Sequence, residues 1–303
     1  MAAGLFKRIY GMRKKYYHFF VIPGMLFLLV FNYIPMLGLI MAFQDFVPAK
    51  GLTGSEFVGL QHFVYMFNLP DIGRVIRNTI VISLGKIIIG MLLAIAFAIL
   101  LNEIRQKFLK SSIQTIVYLP HFLSWVVLAA VAVNLFNLNG LVNSILTGFG
   151  LERINFLGDN NVFRKFIIGT DVWKEFGYNS VVYLAAITGI DAGLHEAAAI
   201  DGAGWWRRIL HVTLPGMLPI IMLMTAMNLT TILSAGFDQI YNLYSPMVYE
   251  SGDVLDTYVY RIGLVGRQYS FGTAVGLLRS VIGMALMVSA NKLTHSLTGQ
   301  RIY

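Results

Sequence analysis

The chain has no cysteine among its 303 residues. That excludes a disulfide framework, a thiolate nucleophile and a cysteine-rich metal site. Charge is scarce as well. Asp, Glu, Lys and Arg make up 13% of the sequence, about half of what a soluble domain carries. The six histidines show no metal-ligand spacing. His195-Glu196 begins like H-E-x-x-H, but Ala199 stands where the second histidine would be, so a zinc-protease helix is excluded there. No G-x-x-x-x-G-K-[ST] is present, because Ile80 occupies the first glycine position ahead of Gly85-Lys86. The chain therefore has no P-loop of its own for a nucleotide. G-x-S-x-G is missing too.

Apolar residues, at 57%, fill the space that charge leaves. They form long runs, which make this an integral membrane protein. Six spans are predicted, at about 19–43, 79–101, 113–135, 166–188, 218–235 and 273–293. A basic stretch, 1–18, precedes them and a tail, 294–303, follows. The first run is too long for a signal peptide, is broken by Pro23 and Pro35, and lacks a small-residue cleavage site, so it is expected to be retained. Leu60, Phe63, Val64 and Phe67 recur at helical spacing and predict an amphipathic helix at the membrane surface. Lys86, inside the second span, could snorkel outward or face a cavity, and snorkelling is the expected reading. Pro120 is expected to kink the third span.

The net charge of +8 could suggest nucleic acid, but the positions of the charges argue for membrane orientation instead. Lys and Arg gather in 1–18, at Arg105, Lys107 and Lys110, at Arg207 and Arg208, and at Lys292 and Arg301. This bias places both termini and the polar loop 189–217 in the cytoplasm.

The fourth predicted span is unusual. It carries Asp171, Lys174 and Glu175, then Tyr178, Asn179 and Tyr183, and the fifth span adds Asn228. Charges in hydrocarbon are costly and face a bundle interior or a water-filled cavity. Asp171, Lys174 and Glu175 share one helix face by their i, i+3 and i, i+4 spacing. They fit either a polar wall of a translocation path or an ion pair that ties this span to a neighbour, and the two readings are compatible. Tyr241 and Tyr244 lie in the polar region before the sixth span. Their rings suit sugars, but for each one the interfacial aromatic belt and core packing of a membrane protein are the expected reading.

The loop 189–217 has the clearest pattern. Glu196-Ala197-Ala198 is followed by Asp201-Gly202-Ala203 and then by Val212-Thr213-Leu214-Pro215. Gly202 and Gly204 interrupt a helix of small residues. Pro215 and Pro219 are expected to mark the start of the next span. The pattern predicts two short helices around a glycine corner, with a face flat enough for another protein.

This stretch resembles the E-A-A loop of ABC importer permeases, with Val212 in place of isoleucine in I-x-L-P. Asn32-Tyr33-Ile34-Pro35-Met36, Trp173-Lys174-Glu175-Phe176-Gly177 and Asp256-Thr257-Tyr258-Val259-Tyr260-Arg261 also resemble the oligosaccharide branch of that family. The resemblance implies an all-α membrane protein, a six-transmembrane-helix type I ABC importer permease bundle. It implies a transport subunit rather than an enzyme. Glu196, Ala197, Ala198, Asp201, Gly202, Ala203, Leu214 and Pro215 would dock the loop, as a coupling helix, on a dimeric ABC ATPase. That ATPase would hold ATP and Mg, and this chain would bind no cofactor. The remaining implied partners are a homologous second permease, an extracytoplasmic solute-binding protein and an oligosaccharide. The implied location is the cytoplasmic (inner) membrane. A secondary, ion-coupled transporter or a membrane glycan enzyme would leave the loop pattern unexplained.

Overall fold

In hydrocarbon a backbone must satisfy its own hydrogen bonds, so long apolar runs become helices. The computed structural model describes residues 19–298, and the predicted basic stretch 1–18 and the tail residues 299–303, Arg301 included, lie outside them. Among the described residues, five helices are long and apolar enough to cross a membrane: Phe19–Phe43, Ile72–Glu103, Trp125–Gly148, Trp205–Thr230 and Tyr269–Ser289. The helix for the predicted fourth span, Asn160–Thr188, has 29 residues. Its charged side chains keep it out of that set.

Two compact units are present. One combines the residues up to 68 with Ile262–Leu277, and the other combines Leu69–Arg261 with the stretch from Leu278. In the first, α1 (Phe19–Phe43) passes through a π-helical stretch, Leu29–Tyr33, just ahead of Pro35. A proline has no N–H to give the preceding turn, and the wider turn absorbs the mismatch. The chain then pairs β1 (Gln44–Asp45) with β2 (Glu56–Phe57) antiparallel. This minimal sheet is the exception to an otherwise helical fold. The predicted amphipathic helix forms as α2 (Gln61–Asn68). Phe63 packs on Phe43, and Met66 is buried. Leu60, Val64 and Phe67 stay exposed, as a helix lying at a membrane surface requires.

The second unit is built on α3 (Ile72–Glu103) and α7 (Asn160–Thr188). Near their starts, Arg164 donates to Asn78 Oδ1 at 2.7 Å. Midway, Lys86 lies 3.0 Å from Asp171. Toward their ends, Ala94 and Ala98 pack with Tyr183, Ile187 and Met217. The two helices therefore run parallel, with both C-terminal ends together. Small residues permit the close approach: a Cβ on Gly85 would sit 2.5 Å from Ile168 Cδ1.

The predicted third span is broken rather than kinked. It consists of α4 (Lys107–Tyr118), a 3-10 turn Leu119–Phe122 that holds Pro120, and α5 (Trp125–Phe136). Leu123 and Ser124 between them are extended, and Ser124 caps α5 by accepting from Val127 N–H. A proline and a capping serine four residues apart stop one helix and start another. The last turn of α4 crosses α7 at Gly177, where a Cβ would meet the Val117 carbonyl oxygen at 2.5 Å. A short α6 (Leu141–Gly148) follows.

Helix bounds elsewhere extend past the apolar runs. The predicted second, fourth and sixth spans gain their first turns from polar residues, at 72, 160 and 269. The largest shift concerns the fifth. Its helix, α9, runs Trp205–Thr230, so it begins well before Pro215 and ends before Ala235. Pro215 does not start this helix. A π stretch, Ile209–Thr213, carries the helix past it, and Pro219 sits in the interior.

Candidate coupling surface and membrane cavity

The surface element is α8 (Ala192–Ile200), which follows α7 after a short turn. Asp191 caps its start by accepting from Gly193 N–H at 2.9 Å. Its end is a Schellman turn. Ala203 N–H donates to Ala198 O at 2.9 Å, and Gly202 N–H donates to Ala199 O at 3.1 Å. Gly202 has φ +75°, and a Cβ there would touch nothing within 4 Å. The glycine is required by backbone conformation and not by crowding. Gly204, at φ −65°, is an ordinary N-cap for α9.

Glu196, Ala197, Asp201 and Gly202 are exposed, while Ala198 and Ala203 are half-buried. Leu194, Ile200 and Trp206 are exposed as well, Ile200 at 86%. Three large apolar side chains in a polar loop form a surface suited to another protein. Their type was legible in the sequence, but reading the small residues alone missed them. Leu214 and Pro215 are separate from this surface, inside α9 beyond the π stretch. Beneath it, His195, Arg208, Asn102 and Glu103 help to line a cavity of about 210 Å³. The ends of α3 and α7 and this exposed surface thus share one end of the second unit.

The charges on α7 and those facing them sort into two groups. Lys86 does not snorkel. Its Nζ donates to Ala235 O at 2.7 Å and to Gln239 Oε1, and lies 3.0 Å from Asp171. Gln239 in turn donates to Ile167 O at 2.7 Å and Thr170 Oγ1 at 2.8 Å. The acidic partner, one helix away at Asp171, offers the ammonium a shorter route than the membrane surface. The tie to a neighbouring span expected of Asp171 therefore exists, and it runs to Lys86 on α3.

Lys174 serves the other group. It donates to His121 O at 2.7 Å and to Glu175 Oε1 at 2.9 Å. Glu175 Oε2 and His121 Nδ1 are 2.6 Å apart, and the His121 ring stacks on Tyr178 at 3.8 Å, 2° from parallel. So the shared face expected for Asp171 and Lys174 does not pair them with each other. Within these two groups, two positive and two negative side chains balance.

A cavity of about 140 Å³ lies between α3, α7 and α9. Asp171, Glu175, Asn179, Tyr183 and Asn228 line it, together with Lys86. Of the residues that sequence singled out, Lys174 and Tyr178 lie outside the lining and brace the break in the third span. For Lys86, facing a cavity is the less expected of its two readings from sequence. His121 and Gln239 were missed. Only their polarity within apolar surroundings could have signalled them.

Residues 86–295 match the family of binding-protein-dependent transport system inner membrane components. The chain belongs to that family. It is a permease subunit rather than an enzyme. It is 38% identical over 292 residues to the polygalacturonan/rhamnogalacturonan transport system permease protein YteP of Bacillus subtilis (strain 168), covering 96% of this chain and 91% of that one. It is 37% identical over 280 residues to protein LplB of the same organism, covering 92% and 88%. Its fold matches a chain of a bacterial ABC transporter involved in the import of the acidic polysaccharide alginate. The TM-score is 0.88 at 37% identity, with 97% of this chain and 99% of that one covered. A chain of a bacterial alginate ABC transporter in complex with an alginate pentasaccharide-bound periplasmic protein matches equally, at TM-score 0.88 and 36% identity, covering 96% and 97%.

Proposed function

We propose that this permease forms half of the membrane path of an ATP-driven importer for oligosaccharides. A homologous second permease forms the other half, and an extracytoplasmic solute-binding protein delivers the cargo. A dimeric ABC ATPase, with ATP and Mg bound to it and not to this chain, docks on α8 through Glu196, Ala197, Ala198, Asp201, Gly202 and Ala203. Both termini and α8 lie in the cytoplasm. The polar cavity at Asp171, Glu175, Asn179, Tyr183 and Asn228 is part of the path.

The observation that carries this reading is the construction of α8. A capped, exposed helix ends in a left-handed glycine turn beside bare Ile200 and Trp206, at the end of the unit where α3 and α7 both terminate. The names of the relatives support an oligosaccharide as cargo, and the second alginate structure supports a delivering protein. ATP closure of the ATPase dimer would displace α8 and turn the bundle as a near-rigid body.

The experiment is co-purification of the ATPase with the membrane-extracted permease, followed by ATP hydrolysis in vesicles with loaded binding protein. Ala198→Trp adds bulk to a fitted contact, which costs about 1–3 kcal/mol. It is expected to lose the ATPase or its stimulation while pairing with the second permease persists. Full ATPase binding and full stimulation in both Ala198→Trp and Gly202→Asp would sink the reading.

A further inference from the structure

The end of the second unit opposite α8 carries a cationic hollow. It has a volume of about 500 Å³, and Arg74, Arg77 and Arg164 line it with Asn78, Asn160 and Glu250. Three guanidinium groups face one carboxylate. The hollow is a built feature. Asn78 is 1% exposed and accepts from Arg164 at 2.7 Å, while its amide donates to Glu250 O at 2.9 Å and Asp253 O at 3.2 Å. Asn160 is tied to the same wall through Met247 O at 3.1 Å and Ser251 N–H at 3.1 Å. Arg164 is therefore held in place through Nη2 and, at 3.4 Å to Ser251 O, through Nε. Arg74 pairs with Asp71. Arg77 is exposed and makes no side-chain hydrogen bond or ion pair among the described residues, and its charge repels that of Arg164.

Arg77 is the one of the three without a counter-charge or hydrogen bond among the described residues. Like charges held close are destabilising, and a fixed guanidinium fork suits a carboxylate or a phosphate through paired hydrogen bonds. Of the two, a carboxylate is the anion an oligosaccharide carries on its rings. The arrangement makes sense if an anion arrives from outside. We infer that Arg74, Arg77 and Arg164 form an entrance site that takes a carboxylate of the incoming sugar, so that the cargo is an acidic, uronate-bearing oligosaccharide. This rests on the importer reading, which makes the end opposite α8 the one where cargo is delivered. The hollow is concave and of small-ligand size, which favours a sugar carboxylate over the convex acidic surface of a docking protein. It lies apart from the cavity at Asp171, so a sugar would meet it before reaching the path.

The test is a titration of the permease in nanodiscs, with the subunits that co-purify and without binding protein. The probes are a galacturonate trimer and its carboxyl-reduced, neutral counterpart. The wild type is expected to bind the acidic trimer more tightly than the neutral one. Arg77→Gln should weaken the acidic trimer by about tenfold, the worth of one charge-assisted hydrogen bond, and leave the neutral trimer unchanged. Raising salt should act on the wild type in the same direction. Arg77 supports no other residue, so the variant folds, and Arg164→Lys gives a second, milder arm. Equal binding of both trimers by the wild type would overturn the inference, as would an unchanged acidic titration in Arg77→Gln. A second titration adds the binding protein, and the inference also fails if Arg77→Gln weakens only the association of that protein, which would make the hollow a protein dock. Failure of the importer reading appears separately, as an ATPase that does not co-purify.

Discussion

Lys174 Nζ lies 2.7 Å from the carbonyl oxygen of His121 and so satisfies backbone that the break in the third span leaves open. A non-helical turn at membrane depth is tolerated only where protein groups complete its hydrogen bonds. The lysine is 5% exposed, and its charge is offset by Glu175, its neighbour in sequence.

Lys174→Met should therefore destabilise the folded permease by about 3 kcal/mol, the low end for a broken buried pair. Adding Asp171→Asn should not rescue it, because Asp171 is engaged by Lys86. Adding Glu175→Gln should recover part of the loss. Thermal unfolding in detergent, followed by tryptophan fluorescence, measures all three. Rescue by Asp171→Asn would place Lys174 with the wrong partner.

Lys86→Met leaves Asp171 buried without a counter-charge and frees Ala235 O and Gln239. The expected loss is about 3–5 kcal/mol. The double change Lys86→Met with Asp171→Asn should be milder, with a coupling of about 1–3 kcal/mol in a double-mutant cycle. Additive losses would mean the pair does not interact.

The two glycines after α8 should behave differently. Gly202→Ser forces a side chain into the left-handed region, at about 1–2 kcal/mol, and should reduce ATPase co-purification. Gly204→Ser puts a favoured residue at an N-cap and should be neutral or slightly stabilising. Equal effects at the two sites would remove the role of the Schellman turn.

Orientation can be tested with single cysteines in this cysteine-free chain. Asn139 is exposed, and a cysteine there should react with an impermeant thiol reagent on intact cells. A cysteine at Ile200 should react only after permeabilisation. Asp253 is a poor position despite its polar surroundings. It is 2% exposed and bonded to Thr257 at 2.8 Å and Arg261 at 2.5 Å. The reverse pattern at 139 and 200 would invert the topology.

The membrane spans and the loop at 189–217 were legible because they rest on local signals: apolar length, small-residue runs, glycine and proline. The polar network was not. Lys86 lies 85 positions before Asp171, and Lys174 finds its acceptor 53 positions back, on a carbonyl that no side-chain pattern reveals. Spacing within one helix pointed to Asp171 with Lys174, yet packing against α3 and the broken span gave each a different partner. The helix starts at 72, 160 and 205 were missed for a related reason. Polar first turns can be helical when tertiary contacts hold them, and hydropathy does not register that.

The π stretch Ile209–Thr213 fixes the rotational phase between the loop and the span it feeds. Each residue turns an α-helix by about 100°. A one-residue deletion within this stretch would let α-helical winding run straight past Pro215, and it would swing Trp206 and the whole glycine elbow around the axis of α9. The family pattern spaces its glycine and its proline at a fixed interval. In this fold that interval acts as a clocking pin, which holds the exposed face of α8 at one angle to the membrane helix behind it.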